Sequence, residues 1–262
     1  MSEQPQIRFE DGAAYETYMG IWSRKVGEQF LDWLDAPPGL SWLDVGAGNG
    51  AFTALLAART RPSAILGVDP SPAQLDYARK RQDVGAARFE SGHAMELPAA
   101  DASVDAAVMA LVIAFVPDPA KGVAEMARAV KPGGLVSAYM WDWPEGFPFY
   151  PLEQVIAGRG LPVVAPPSHE AARKQRMEEL WQGAGLTGVE SRVITVERAF
   201  PDFDSFWAVS ITGPRMAAQA ASLSPEMMAT LRADLKILLA AGDGKPVTLK
   251  ASANAVKGRV PG

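Results

Sequence analysis

A glycine-rich turn flanked by two acidic residues is the part of this sequence best suited to chemistry. Gly46-Ala47-Gly48-Asn49-Gly50 follows the short apolar run Trp42-Leu43-Asp44-Val45 and precedes a helical stretch from Phe52 to Arg59. Glycines let a ligand approach the backbone, and a helix start offers unpaired N–H groups. The turn fits the G-x-G-x-x-A form of the dinucleotide fingerprint through Gly46, Gly48 and Ala51. Taken alone, that pattern is unspecific. Two neighbours narrow it. Asp44 stands two residues before the first glycine, and no Lys or Arg follows until Arg59. A carboxylate there repels a pyrophosphate and suits a ligand carrying positive charge. Asp69 closes the next apolar run, about 20 residues beyond the turn, where an acidic side chain accepts ribose hydroxyls.

S-adenosylmethionine carries an ammonium and a sulfonium and no phosphate, so it meets both conditions. NAD would be served equally by Asp69, which makes Asp44 the discriminating residue. Leu43-Asp44-Val45-Gly46-Ala47-Gly48-Asn49-Gly50 resembles the first motif of the class I S-adenosylmethionine-dependent methyltransferases. Gly67-Val68-Asp69-Pro70-Ser71 is similar to their second-strand motif, and Gly92-His93-Ala94-Met95-Glu96-Leu97-Pro98 to their adenine-side segment. Val130-Lys131-Pro132-Gly133-Gly134 resembles the turn before their fifth strand. The opening Tyr18-Met19-Gly20-Ile21-Trp22-Ser23 and the tail around Phe203–Trp207 resemble a small-molecule branch of the ubiquinone/menaquinone-biosynthesis type.

That resemblance implies roles position by position. Asp44 and the backbone of Gly46, Ala47, Gly48 and Gly50 would meet the methionine moiety, and Asp69, with Pro70 beside it, would hold the ribose. Ser71 and Leu75 would flank the adenine, with His93, Ala94 and Met95 along its edge. His93 departs from the family's usual Asp; a neutral imidazole can still accept from the adenine amino group in the right tautomer. Tyr18 and Arg24 would close over the cofactor from the N-terminal helix.

The elements that must position these residues alternate. Apolar residues from Ala13 to Leu34 recur at three-to-four spacing, an amphipathic helical stretch stopped by Pro37-Pro38-Gly39. Strands are expected at Trp42–Val45, Ala64–Val68, Ala87–Glu90, Val104–Leu111 and Leu135–Trp141. Helices are expected from Pro72 to Arg81, with Ser71 as cap, and from Pro119 to Val130. Such alternation predicts a parallel sheet with right-handed crossovers. After Trp141 comes a Pro- and aromatic-rich stretch, 142–167, with no regular period. Helices are then expected at His169–Ala184, Phe203–Ile211 and Pro225–Ala241, and strands at Val189–Ala199 and Val247–Lys257. The resemblance implies an α/β, Rossmann-like fold: seven strands, mostly parallel, in the order 3-2-1-4-5-7-6 with the last antiparallel. One domain is expected over 1–262: an N-terminal helical cap (1–39), a cofactor-binding core (40–141), and lid helices with the last two strands (142–262).

Composition bounds the chemistry. The chain of 262 residues is 48% hydrophobic, with a net charge of −5 that provides no basic footprint for nucleic acid. It has no cysteine, which removes disulfides, thiolate metal sites and cysteine nucleophiles, and two histidines argue against a multi-histidine metal centre. The polar, acidic N-terminus is unlike a secretory signal, and the longest apolar run, Ala106–Val116, is too short for a bilayer span of ~20 residues. A cytoplasmic location without a membrane partner is expected.

Methyl transfer needs alignment more than a covalent step, so no dyad is required and no residue stands out as catalytic. The apolar segment Leu111-Val112-Ile113-Ala114-Phe115 after the fourth strand points to a small, partly apolar acceptor. Trp141, Trp143, Phe147, Phe149 and Tyr150 are candidates for its wall, and His169 for a base. Two other readings remain: a non-catalytic S-adenosylmethionine-binding regulatory or assembly protein, and an NAD(P)-dependent oxidoreductase. The acceptor atom and the oligomeric state are not legible.

Overall fold

The computed structural model describes residues 16–213, Met216 and 223–262. A π-helical turn, Glu16–Gly20, leads into α1 (Ile21–Leu34). Trp22, Val26, Phe30 and Leu34 face inward and are buried, the stripe expected of an amphipathic helix. The expected start of this segment, Ala13 to Tyr15, lies outside the described residues.

Six elements then build the site, alternating until β3, which is followed directly by a strand: β1 (Ser41–Val45), α2 (Ala51–Thr60), β2 (Ala64–Asp69), α3 (Pro72–Lys80), β3 (Arg88–Ser91) and β4 (Val104–Ala110). They continue with α4 (Pro119–Ala129) and β5 (Val130–Trp141). Helix starts follow local chemistry. The Ser71 hydroxyl accepts the Gln74 N–H at 3.4 Å and the Asp118 carboxylate accepts the Lys121 N–H at 3.1 Å, each with proline at the first helical position.

The remaining elements are α5 (Tyr150–Gly158), α6 (Lys174–Gly183), β6 (Thr187–Phe200), α7 (Phe203–Ser210), α8 (Pro225–Leu238) and β7 (Val247–Arg259). The sheet runs β3-β2-β1-β4-β5-β7-β6, with β7 antiparallel to both β5 and β6. This is the expected order. Helices cover both faces, so β1 and β4 are buried almost throughout, as parallel strands must be.

Three local expectations need correction. The stretch 142–167 contains α5, whose buried Leu152, Val155 and Ile156 have helical spacing, but nine residues behind an aromatic run are too few for a visible period. The helix expected over His169–Ala184 is split: a 3₁₀ turn, His169–Ala172, ends at Arg173, whose extended backbone (φ −67°, ψ 135°) starts α6 anew. Pro132-Gly133-Gly134 does not precede the fifth strand but bulges within it. Val104 pairs with Val130 and Ala106 already with Leu135, the extra residues being absorbed where Gly133 takes φ +77°.

Aromatic stacking joins the late helices to the N-terminal turn. Tyr18 stacks on Phe149 at 4.2 Å between ring centroids, and Phe149 lies 6.1 Å from Phe206 of α7. Each pair of this kind is worth about 0.5–1.5 kcal/mol beyond its burial. Among the described residues no helix is long and apolar enough to cross a membrane.

Candidate functional site

The turn after β1 is held by the strand beside it. Gly46 and Ala47 donate to the Val68 carbonyl at 2.7 and 3.0 Å, and Gly50 donates to Ala47 at 2.9 Å. Gly46 and Gly48 have φ of +77° and +53°, a region in which side-chain-bearing residues are strained. A Cβ at Gly46 would lie 2.4 Å from a Val112 methyl, whereas a Cβ at Gly48 would find its nearest atoms, Gln74 Oε1 and the Gly46 carbonyl oxygen, only at 4.0 Å. The first glycine therefore serves packing, and the second leaves room for a ligand.

Asp69 ties the turn to the next helix. One of its oxygens accepts the Gly48 N–H at 2.9 Å and the other the Ser71 N–H at 2.8 Å. Burial raises its pKa; the two N–H groups and the neighbouring His93 oppose that rise.

Asp44 is more deeply set, only 1% exposed. One of its oxygens accepts the Thr53 hydroxyl at 2.6 Å, and the other is buried with no hydrogen-bond partner. Burial pushes its pKa up to about 7, the Thr53 hydrogen bond works against this, and Asp69 adds repulsion. Thr53 escapes sequence reasoning because its place in the first turn of α2, folded back over the end of β1, is a matter of helix direction.

Beside the turn lies a cavity of about 500 Å³. Of the residues expected at the site, Gly46, Ala47, Gly48, Asp69, Pro70, Ser71, His93, Ala94, Met95 and Tyr18 line it. Asp44, Gly50, Leu75 and Arg24 do not. Asp44 sits beneath the turn, and Gly50 is pressed against Ala78 and Arg81. Leu75 packs into a small apolar cluster with Ala47 and Phe89, and Arg24 is on the exposed face of α1. Met19 and Ser23, from the same segment as Tyr18, also line the cavity, as do Phe52 and Gln74, which the sequence alone does not single out.

The far wall is apolar. Leu111, Val112, Phe115, Trp141, Trp143 and Phe147 contribute to it. Phe149 turns instead into the stack with Tyr18 and Phe206, and Tyr150 starts α5. His169 is remote: its ring nitrogens lie 3.2 Å from the Pro166 carbonyl and 3.1 Å from Glu170, outside the cavity lining.

These residues fit S-adenosylmethionine. The unpartnered Asp44 oxygen and the acidic Asp69 make the turn a poor seat for pyrophosphate and a good one for a cationic amino-acid end. The space over Gly48 admits a ligand to the backbone.

A methyltransferase domain family matches residues 43–138. An uncharacterised methyltransferase of Mycobacterium marinum is 31% identical over 223 residues, covering 82% of this chain and 84% of that protein. The chain belongs to the class I S-adenosylmethionine-dependent methyltransferases. A demethylmenaquinone methyltransferase of Renibacterium salmoninarum is 34% identical to this methyltransferase over 149 residues, 55% of this chain and 57% of its own length. Several other curated relatives are matched over only 24% to 45% of their length, so the chain spans less than half of those proteins. A Haemonchus contortus phosphoethanolamine N-methyltransferase solved with S-adenosyl-L-methionine superposes with a TM-score of 0.60 at 19% identity, covering 99% of this chain and 61% of that one. At that identity the likeness shows the fold alone, which is the Rossmann-like fold of this methyltransferase family.

Proposed function

We propose that this chain transfers a methyl group from S-adenosylmethionine to a small-molecule acceptor. The observation that carries this reading is a single cavity, continuous from the acid-flanked glycine turn to the apolar wall beyond β4 and β5. Bound there, S-adenosylmethionine supplies an electrophilic methyl group whose bonding electron pair stays on sulfur as the acceptor's lone pair takes the carbon.

The chain's own residues would bind and align. Asp44, through the turn above it, neutralises the amino-acid end, and Asp69 receives the ribose on the side of its carboxylate not occupied by Gly48 and Ser71. His93 and Ala94 take the adenine edge. The enclosing apolar wall excludes water and holds the acceptor in line, which can supply much of the acceleration without a protein base. An acceptor proton is given up to bulk water as the product leaves the cavity.

Thermal unfolding with S-adenosylhomocysteine, and separately with NADH, tests the reading. Near-saturation at ~100 Kd adds about 2.7 kcal/mol, or roughly 5–10 °C in a domain of this size. A shift with the adenosyl ligand alone is expected. A shift with NADH alone, or none with either, rejects the proposal. At the adenine edge, His93→Ala should weaken S-adenosylhomocysteine roughly three- to tenfold by isothermal titration, the value of one neutral hydrogen bond. An unchanged Kd would remove His93 from the site.

A further inference from the structure

Tyr18 lines the cavity from a seat that its own segment does not secure. It lies in the five-residue π-helical turn Glu16–Gly20, too short a piece of helix to hold its geometry unaided. Two contacts from distant parts of the chain fix its ring instead. The Phe149 ring stacks on it at 4.2 Å between centroids and 10° from parallel. Gly213, just beyond α7, presses on the same ring. A Cβ there would stand 2.4, 2.6 and 2.8 Å from Tyr18 Cζ, Cε2 and Oη.

Phe149 is itself firmly anchored. It is 1% exposed and packs on Phe147 and Phe206 at 6.0 and 6.1 Å. Gly146, shortly before it, is locked to β7, where the Ser252 N–H donates to the Gly146 carbonyl at 2.9 Å. A Cβ at Gly146 would come within 2.4 Å of the Ser252 carbonyl oxygen, so the two backbones are in close contact. Phe149 and Gly213 are both absent from the cavity lining, yet the ring they hold belongs to it.

We infer that Phe149 and Gly213 are positioning residues that clamp the Tyr18 ring in the cavity wall, where it packs against the bound cofactor. This rests on the S-adenosylmethionine reading and deepens it. A ring contributes to such a wall by close fit, and a gap of about 0.5–1 Å forfeits roughly a quarter to a half of each dispersion contact. Leucine at 149 offers no flat face to stack on. Alanine at 213 makes the Tyr18 ring, the far end of a rotatable side chain, the part that must move.

The test measures S-adenosylhomocysteine dissociation constants by isothermal titration on the whole protein and its variants, with a thermal midpoint for each. Phe149→Leu and Gly213→Ala should each weaken binding roughly three- to tenfold, the range set by one aromatic contact. In a Tyr18→Leu background, itself at least as weak, either change should add less than about twofold, because the ring it positions is gone. Phe203→Leu removes a buried α7 ring outside the clamp and should lower the midpoint while leaving the constant unchanged. The inference is overturned by multiplicative effects in the double variants, by an unchanged constant in Phe149→Leu and Gly213→Ala, or by an equal weakening in Phe203→Leu. A failure of the cofactor reading shows earlier and separately, as absence of binding to the unmodified protein, and takes this inference with it.

Discussion

Replacing Asp44 with asparagine is expected to yield a protein that is more stable without ligand and binds S-adenosylhomocysteine roughly ten- to a hundredfold more weakly. The carboxylate is 1% exposed and only one of its oxygens is paired, with Thr53. Burial raises its pKa from the ordinary 3.8 to about 7, so the folded state holds its proton where the unfolded chain has lost it. Stability contributed by this group is thus complete below pH 4, falls as pH rises from about 4 to about 7, and is level above that. Full ionisation at pH 8 costs on the order of 4 kcal/mol as an upper bound. Asparagine removes the charge but leaves one polar atom unpaired, at about 1–3 kcal/mol, so a net gain of about 1–3 kcal/mol is expected at pH 8. Urea unfolding of both proteins at pH 5 and pH 8 measures it, and parallel pH dependences would sink the assignment. The weakened binding follows from loss of the negative charge that acts through the turn on the ligand's cationic end, about 1.4–2.8 kcal/mol for that fold-change.

Gly46→Ala should cost about 2–5 kcal/mol. Its backbone, at φ +77°, lies in the left-handed region, where a Cβ costs about 1–2 kcal/mol. That Cβ would also stand 2.4 and 2.7 Å from the two Val112 methyls, on a branched side chain with little rotamer freedom. Overpacking of this kind adds about 1–3 kcal/mol. The two causes separate in a double mutant. Adding Val112→Ala should recover the overpacking part and leave the backbone part of about 1–2 kcal/mol. Denaturation midpoints of the four proteins decide. Non-additivity near zero would mean that Val112 gives way freely and does not brace the turn.

Both results bear on how the site is built. Asp44 and Gly46 belong to β1 and the turn after it, Thr53 to α2, and Val112 to the segment following β4. The parallel pairing of Asp44 with Val108 puts the ends of β1 and β4 side by side, and the loops that leave those ends meet. Ligand sites in such sheets lie outside the carboxyl ends of the strands for this reason.

Much of this was legible in the residues themselves. Alternating apolar runs and capped helices from Ser41 to Ala129 are local patterns, and the acid–glycine–acid spacing of Asp44, Gly46–Gly50 and Asp69 needs no tertiary context to suggest a cationic nucleotide-like ligand. The strand order and the placement of β7 followed from family resemblance, since no local period encodes which strands pair. What the tertiary structure decided was contact between distant segments. It drew Asp44 under the turn and onto Thr53, sent Leu75 into an apolar cluster, and left Arg24 in solvent. It chose Trp141, Trp143 and Phe147 for the cavity while stacking Phe149 on Tyr18, a partner 131 positions away in the chain. Spacing along a chain reports which face of its own element a residue occupies. Which other face it meets depends on crossover direction and strand register, and those are set by burial of the whole sheet at once.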